Sequence, residues 1–180
     1  MTTEFSRVER LDTIGGEERQ VTIEADAQER VALARRFGLV SLDRLTANFA
    51  IRREAAAVIA HGHVSALAVQ SCTVTGAPLP ASVEEDVALR FVEPASAIGG
   101  DEEIELFGDA LDTIEIEGGG VDLGEAAAET MALALDPFPR SPDAAAVLKQ
   151  AGVISEEEAG AFGALAGLKA RLEGKPNPAQ

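Results

Sequence analysis

Residues 44–52, RLTANFAIR, decide the fold class of this chain. Leu45, Ala47, Phe49 and Ile51 alternate with Arg44, Thr46, Asn48 and Arg52, and a period of two puts the apolar set on one face of a β-strand and the polar set on the other. Residues 56–75, AAVIAHGHVSALAVQSCTVT, follow almost at once, and 83–92, VEEDVALRFV, after a short connection. In the last run Val83, Val87, Leu89 and Phe91 share a face opposite Glu84, Asp86 and Arg90. The run 56–75 is long for one even strand, and Gly62 inside it predicts a bulge or bend. Strands in succession with short connections predict an α+β fold: an antiparallel sheet, one that could close into a barrel, with helices packed against it.

Outward from this centre, short strands are expected at 5–11 and 20–25, flanking Gly15-Gly16, and a weaker one at 113–117. Three helix starts share one device. Asp26 with Glu29, Asp122 with Glu125 and Ser155 with Glu158 each place a capping side chain three residues before an acid. The first can accept from an orphan N–H, and the second can reach back and suits the helix dipole. The helices predicted are 27–37, burying Val31, Ala34 and Phe37 or Leu33; 123–135, with Leu123, Ala127, Met131, Ala134 and Leu135 near one face; and 156–173. A shorter one fills 142–151 after Ser141-Pro142. Residues 95–112, with Gly99-Gly100 and a run of acids, read as a mobile loop. The expected organisation is an α+β domain over 1–140, a helical segment over 141–173 packed on it, and a disordered tail over 174–180.

Charge is distributed unevenly. The net charge is −16, and residues 61–136 hold sixteen acids and one base, Arg90, whereas the flanking segments are nearly balanced. This segment is either a solvated acidic face or a docking surface for a basic partner. Seven Phe and no Trp or Tyr leave few rings for stacking single-stranded nucleic acid. One cysteine, Cys72, allows no intramolecular disulfide. The first residues lack an apolar signal segment and the longest apolar run, Ala55–Ala60, is far too short to span a membrane, so a cytoplasmic location without membrane attachment is expected.

No constellation reads as an active site. His61 and His63 lie on one strand face and could join Cys72, but zinc wants a further ligand and no other His or Cys exists. No metal and no cofactor is expected. Nothing near Cys72 in sequence would lower its pKa, so a small core or edge residue is expected there. Gly118-Gly119-Gly120 precedes a helix whose first turn already holds Asp122 and Glu125, which would repel a phosphate. Walker, Rossmann and serine-nucleophile motifs are absent.

Residues 62–78, GHVSALAVQSCTVTGAP, resemble the core of the YceD family, the large ribosomal RNA subunit accumulation proteins. Arg90-Phe91-Val92-Glu93-Pro94 is similar to that family's strand ending in Phe and Pro. Val121-Asp122-Leu123-Gly124-Glu125, with Glu129 and Leu133-Ala134-Leu135-Asp136-Pro137, resembles its signature helix, and Phe162–Lys169 its terminal segment. Many members carry C-x-x-C and a second Cys cluster after that helix, a set that suggests zinc. Here Cys72 holds the first position, Thr75 stands at the second, and Phe138–Pro142 contains no Cys. A metal role is therefore not carried over. The family-motif residues are Cys72, Asp122, Leu123, Glu125 and Pro137, and the two acids are explained by capping alone.

The resemblance implies a non-enzymatic role in accumulation of large-subunit (23S) ribosomal RNA. Two mechanisms follow. A basic ribosomal protein or large-subunit assembly factor docks on the acidic stretch 84–117, through Asp101, Glu102, Glu103, Glu105 and Asp109. Alternatively, Arg35, Arg36, Arg44, Arg52 and Arg53, which flank the first helix and the next strand, form an edge that binds the RNA directly. An enzyme of unrecognised type is a third reading. Oligomeric state is left open.

Overall fold

The alternation at 44–52 belongs to a longer strand. In the computed structural model, which describes residues 4–93, 112–116 and 118–153, β3 runs Ser41–Glu54 and pairs antiparallel with β4, Ala57–Ser71. The register shifts between Leu42 and Arg44. This bulge lets Leu42 and Leu45, three apart, both face the core and hides the first three residues from a period-two reading. The described residues fall into two compact units, 4–71 with 78–93, 112–116 and 118–139, and 72–77 with 140–153.

In the first unit, β1 is Val8–Arg10, followed by a 3-10 turn at Leu11–Thr13; β2 is Arg19–Glu24, β5 Pro78–Val92, β6 Asp112–Glu115 and β7 Gly120–Asp122. The helices are α1, Ala27–Arg36, and α2, Leu123–Ala134. The sheet order is β2-β3-β4-β5-β6, and β1 and β7 form a separate antiparallel pair. Two expectations are corrected here. The sheet stays open, since β2 and β6 are its edges and do not pair. The strand β6 also lies parallel to β5, with Leu89–Val92 opposite Asp112–Glu115. A parallel neighbour needs a connection of about a dozen residues or more, and the interval between β5 and β6 supplies it, unlike the short connections joining β3, β4 and β5. The strands flanking Gly15-Gly16 are not partners either: β1 pairs with β7, and β2 with β3.

Gly62 makes no bulge. Pairing runs without a shift from Arg44↔Leu67 to Glu54↔Ala57. The glycine is required by a close approach: a Cβ there would lie 2.5 Å from Phe49 Cδ1 and 2.6 Å from Asn48 O. The fully buried Phe49 ring therefore sits over the bare backbone of β4. One core cluster joins Phe49, Leu45 and Ile51 of β3, Val58, Val64 and Ala66 of β4, Leu89 and Phe91 of β5, Leu33 of α1, and Leu123, Ala127 and Met131 of α2. Alanines on both sheet and helix let the layers approach, and burial of the larger side chains contributes about 1.5–3 kcal/mol each.

α1 begins as its sequence predicts. Asp26 accepts from the N–H of Gln28 and Glu29, and Glu29 accepts from the N–H of Asp26, a complete capping box. Its buried face is Leu33 and Ala34; Val31, expected inside, is 64% exposed, because the helix rests on β3 along a stripe two positions round from it. α2 matches its predicted start and buries Leu123, Ala127 and Met131, while Ala134 is exposed and Leu135 half-buried.

In the second unit, α3 spans Ala144–Gln150, opening later than the 142–151 expected. Cys72–Ala77 forms a tight turn, with Gly76 at φ 72° donating to Cys72 O at 2.9 Å. The helix predicted over 156–173, the tail over 174–180 and all but residue 112 of the 95–112 loop lie outside the described residues.

Candidate functional site

The solvent face of the sheet carries a polar ladder set by strand register. Asn48, His63 and Asp86 are opposite one another on β3, β4 and β5, and Thr46, Ser65 and Glu84 form the next row. His63 Nδ1 lies 2.7 Å from Asp86 Oδ1, and its Nε2 lies 2.9 Å from Glu84 Oε2. Hydrogen bonds to Asp86 and to Glu84 raise the His63 pKa above its usual value, and the His63 and Ser65 hydrogen bonds lower that of Glu84. Ser65 Oγ donates to Glu84 at 2.8 Å and accepts from Arg44 at 3.0 Å. Sequence reading found His63 but not its partners; the signal lay in pairing 63 with 86 across a hairpin whose register only the folded sheet supplies. His61 stands apart, exposed and opposite Ala50 and Ala88.

Towards the β5–β6 edge acids outnumber bases, with Arg90, opposite Thr113, the one base on these two strands among the described residues. Glu85, Asp112 and Glu115 are exposed, and no cation pairs with them among the described residues. Behind Glu85 a shallow groove of about 300 Å³ lies between β5 and α2, floored by Val87 and Leu89 and walled by Thr130 and Leu133. Leu133 is 87% exposed, in keeping with its place off the face that the helical reading of 123–135 buries. The loop acids Asp101, Glu102, Glu103, Glu105 and Asp109 lie outside the described residues.

The five arginines do not form one patch. Arg44 and Arg52 stand eight residues apart on β3, roughly 26 Å at the ~3.3 Å rise of a strand. Arg52 pairs with Glu54 at 3.1 Å and Arg53 donates to Leu11 O at 3.2 Å. Arg35 and Arg36 end α1, near the start of β3. Arg36 is committed: it grips Glu125 with two hydrogen bonds, of 2.5 and 2.9 Å, and reaches Glu4 at 3.1 Å.

That grip corrects the expected capping box on α2. Asp122 Oδ1 accepts from the N–H of Gly124 and of Glu125, at 3.0 and 3.2 Å, as predicted. Glu125, however, turns to Arg36 rather than back to its cap. Asp122 does more than cap: it also accepts from the Arg7 N–H at 2.7 Å and the Ser6 hydroxyl at 2.6 Å, fastening the N-terminal segment to α2. Gly124 is fixed by the same contact, since a Cβ on it would lie 2.6 Å from Phe5 O. Leu123 is fully buried, and Pro137 follows the helix end.

Residues 60–169 match the family described as large ribosomal RNA subunit accumulation protein YceD. The chain belongs to the YceD family. No match was found among curated proteins or among solved structures. The family description ties its members to accumulation of large-subunit ribosomal RNA.

The YceD resemblance places further cysteines at Thr75 and beyond Pro137, and the second unit brings those positions to Cys72. Its Sγ accepts from the N–H of Ser141 at 3.2 Å and of Thr75 at 3.4 Å, and lies 3.4 Å from Ser141 Oγ. The Thr75 and Ser141 hydroxyls are 3.2 Å apart. Burial alone would raise the thiol pKa, but hydrogen bonds from Ser141 and Thr75 outweigh it and bring the value down to about 6. The expectation of an unperturbed thiol is thereby corrected: one donor, Thr75, is three residues away, and the other, Ser141, is 69 positions away. One thiolate with two neutral hydroxyls does not fit zinc, which takes four nitrogen, sulfur or carboxylate ligands in structural sites. Among the described residues no group of three or more His, Cys, Asp and Glu could hold a metal ion, and no helix is long and apolar enough to cross a membrane.

Proposed function

We propose that this protein supports accumulation of large-subunit ribosomal RNA as a non-enzymatic cytoplasmic factor that docks a basic ribosomal protein or assembly factor on its acidic β5–β6 edge. The observation that carries the reading is Glu85 and Asp112, two exposed carboxylates on one face of adjacent strands, with Glu115 on the other face, and no cation paired to any of the three among the described residues. Unpaired carboxylates of one sign raise the local potential and steer a basic partner, giving binding that weakens as salt rises. The family-motif acids, by contrast, are occupied within the fold. Direct RNA binding by the arginines is less well supported, because they are spread along β3 and Arg36 is already paired.

The test is affinity purification of tagged wild-type protein and of the Glu85→Gln/Asp112→Asn/Glu115→Gln variant, with co-purifying proteins and RNA identified. Loss of a basic protein from the variant, with large-subunit RNA falling in cells, is the expected result. A partner held equally by both, or RNA held without protein, would overturn it.

A further inference from the structure

The strand β5 is fifteen residues long, yet β6 pairs only with Leu89–Val92. Its outer edge over residues 79–88 therefore meets no partner strand among the described residues. Unpaired strand edges template the addition of another strand, and natural proteins blunt them with proline, charge or cover. Pro78 and Pro80 protect one end. The middle has no proline, and its charges, Glu84, Glu85 and Asp86, blunt it against a like-charged strand while leaving it open to a cationic one.

We propose that this edge receives an extended lysine- or arginine-rich segment of the partner protein as an added β-strand, with alternate apolar side chains seated in the groove against Leu133. This deepens the docking role proposed above and rests on it. The alternation of a strand fixes the pattern of the guest. On the solvent face an added strand lies beside Glu84 and Asp86, which call for cationic side chains. On the other face it lies over Val87 and the 87% exposed Leu133, which call for apolar ones, with Glu85 and Asp112 at the groove mouth. A second copy of this chain is disfavoured as guest, because it would set Glu84–Asp86 against the same acids at a net charge of −16 per chain.

The probe is a capped synthetic dodecapeptide of alternating lysine and valine, titrated against the full-length protein. Binding should slow exchange at those amides of residues 81–88 that point away from β4, and Leu133→Glu should weaken it about tenfold or more, a loss of ~1.4 kcal/mol. A peptide N-methylated at every residue, which has no N–H on either edge to complete the ladder, should not bind. The same titration is run with a pool of salt-extracted large-subunit proteins. If the pool is held in a salt-sensitive way while the dodecapeptide fails, or the N-methylated peptide binds equally well, strand addition is wrong and acidic docking survives. If neither pool nor peptide is held, both fall. Concentration-dependent dimers abolished by Leu133→Glu would assign the edge to a second copy and also overturn the proposal.

Discussion

Arg36, at the end of α1, and Glu125, in the first turn of α2, form a two-point ion pair across 89 residues of sequence, with hydrogen bonds of 2.5 and 2.9 Å. The Glu125 hydrogen bond raises the Arg36 pKa further. The two side chains are only 30% and 21% exposed, so the pair is better shielded than an ordinary surface bridge. A double-mutant cycle with Arg36→Gln and Glu125→Gln should give a coupling of about 0.5–1.5 kcal/mol in urea unfolding. A coupling near zero would mean the pair contributes nothing to the fold.

His63 predicts a pH dependence. Its folded pKa is raised, so its contribution to stability is complete below the unfolded value near 6.5 and is lost as pH rises through the higher folded value. Glu84 acts oppositely: its folded pKa is lowered, so its contribution is present above the unfolded value near 4.5 and is lost as pH falls through the folded one. The clamp is strongest between these limits. In the His63→Asn variant, the Tm difference from wild type should be largest near pH 5–6 and shrink by pH 9. A difference independent of pH would show that His63 is not held by the two carboxylates.

Two glycines should resist even alanine. At Gly124 the helix would gain up to about 1 kcal/mol from alanine's propensity, but the new Cβ would meet backbone atoms of Phe5 and Arg7 at 2.6 and 2.9 Å. The clash wins, and Gly124→Ala should lose about 1–3 kcal/mol. Gly62→Ala should do the same by displacing Phe49. Urea midpoints that fall with unchanged m-values would bear this out; an unchanged or higher midpoint for either variant would refute it.

Asp122 receives four donors: two helix amides, the Arg7 N–H and the Ser6 hydroxyl. A bare cap is worth ~1 kcal/mol, and the two additional bonds should bring Asp122→Ala to about 2–3 kcal/mol. Hydrogen exchange should also speed up at Arg7. A loss confined to the value of a cap, with Arg7 exchange unaltered, would show that the N-terminal fastening is unimportant.

Cys72 should titrate near pH 6, read by thiolate absorbance in the ultraviolet. Ser141→Ala removes the hydroxyl but keeps the amide donor, and should raise the midpoint part of the way to an ordinary thiol. A lowered folded pKa means the thiolate adds stability above the unfolded value, lost as pH falls through about 6. A midpoint above 8 in the wild-type protein would remove the hydrogen-bonded thiolate from consideration.

The sequence by itself determined the elements whose signals are local. Alternation at Leu45–Ile51 and Val83–Phe91 set the strands and their core face, and Asp26 with Glu29 set the start of α1, because backbone period and capping act within a few residues. The concentration of acids in 61–136 was likewise plain. Tertiary structure alone decided what depends on partners distant in the chain. Gly62 looks like a bulge in the sequence because the Phe49 ring that demands it belongs to the neighbouring strand. Local spacing assigns Glu125 to its own cap because Arg36, which outcompetes the cap amide with a two-point charged bond, comes from another helix. The larger part of the lowered Cys72 pKa depends on Ser141, 69 positions away, beside the nearby Thr75. The proposed docking edge is likewise a matter of pairing: composition locates the charge, but only the four-residue reach of β6 along β5 leaves Glu84–Asp86 at a strand edge without a partner among the described residues, since hydrogen-bonding register is a property of the sheet and not of any one segment.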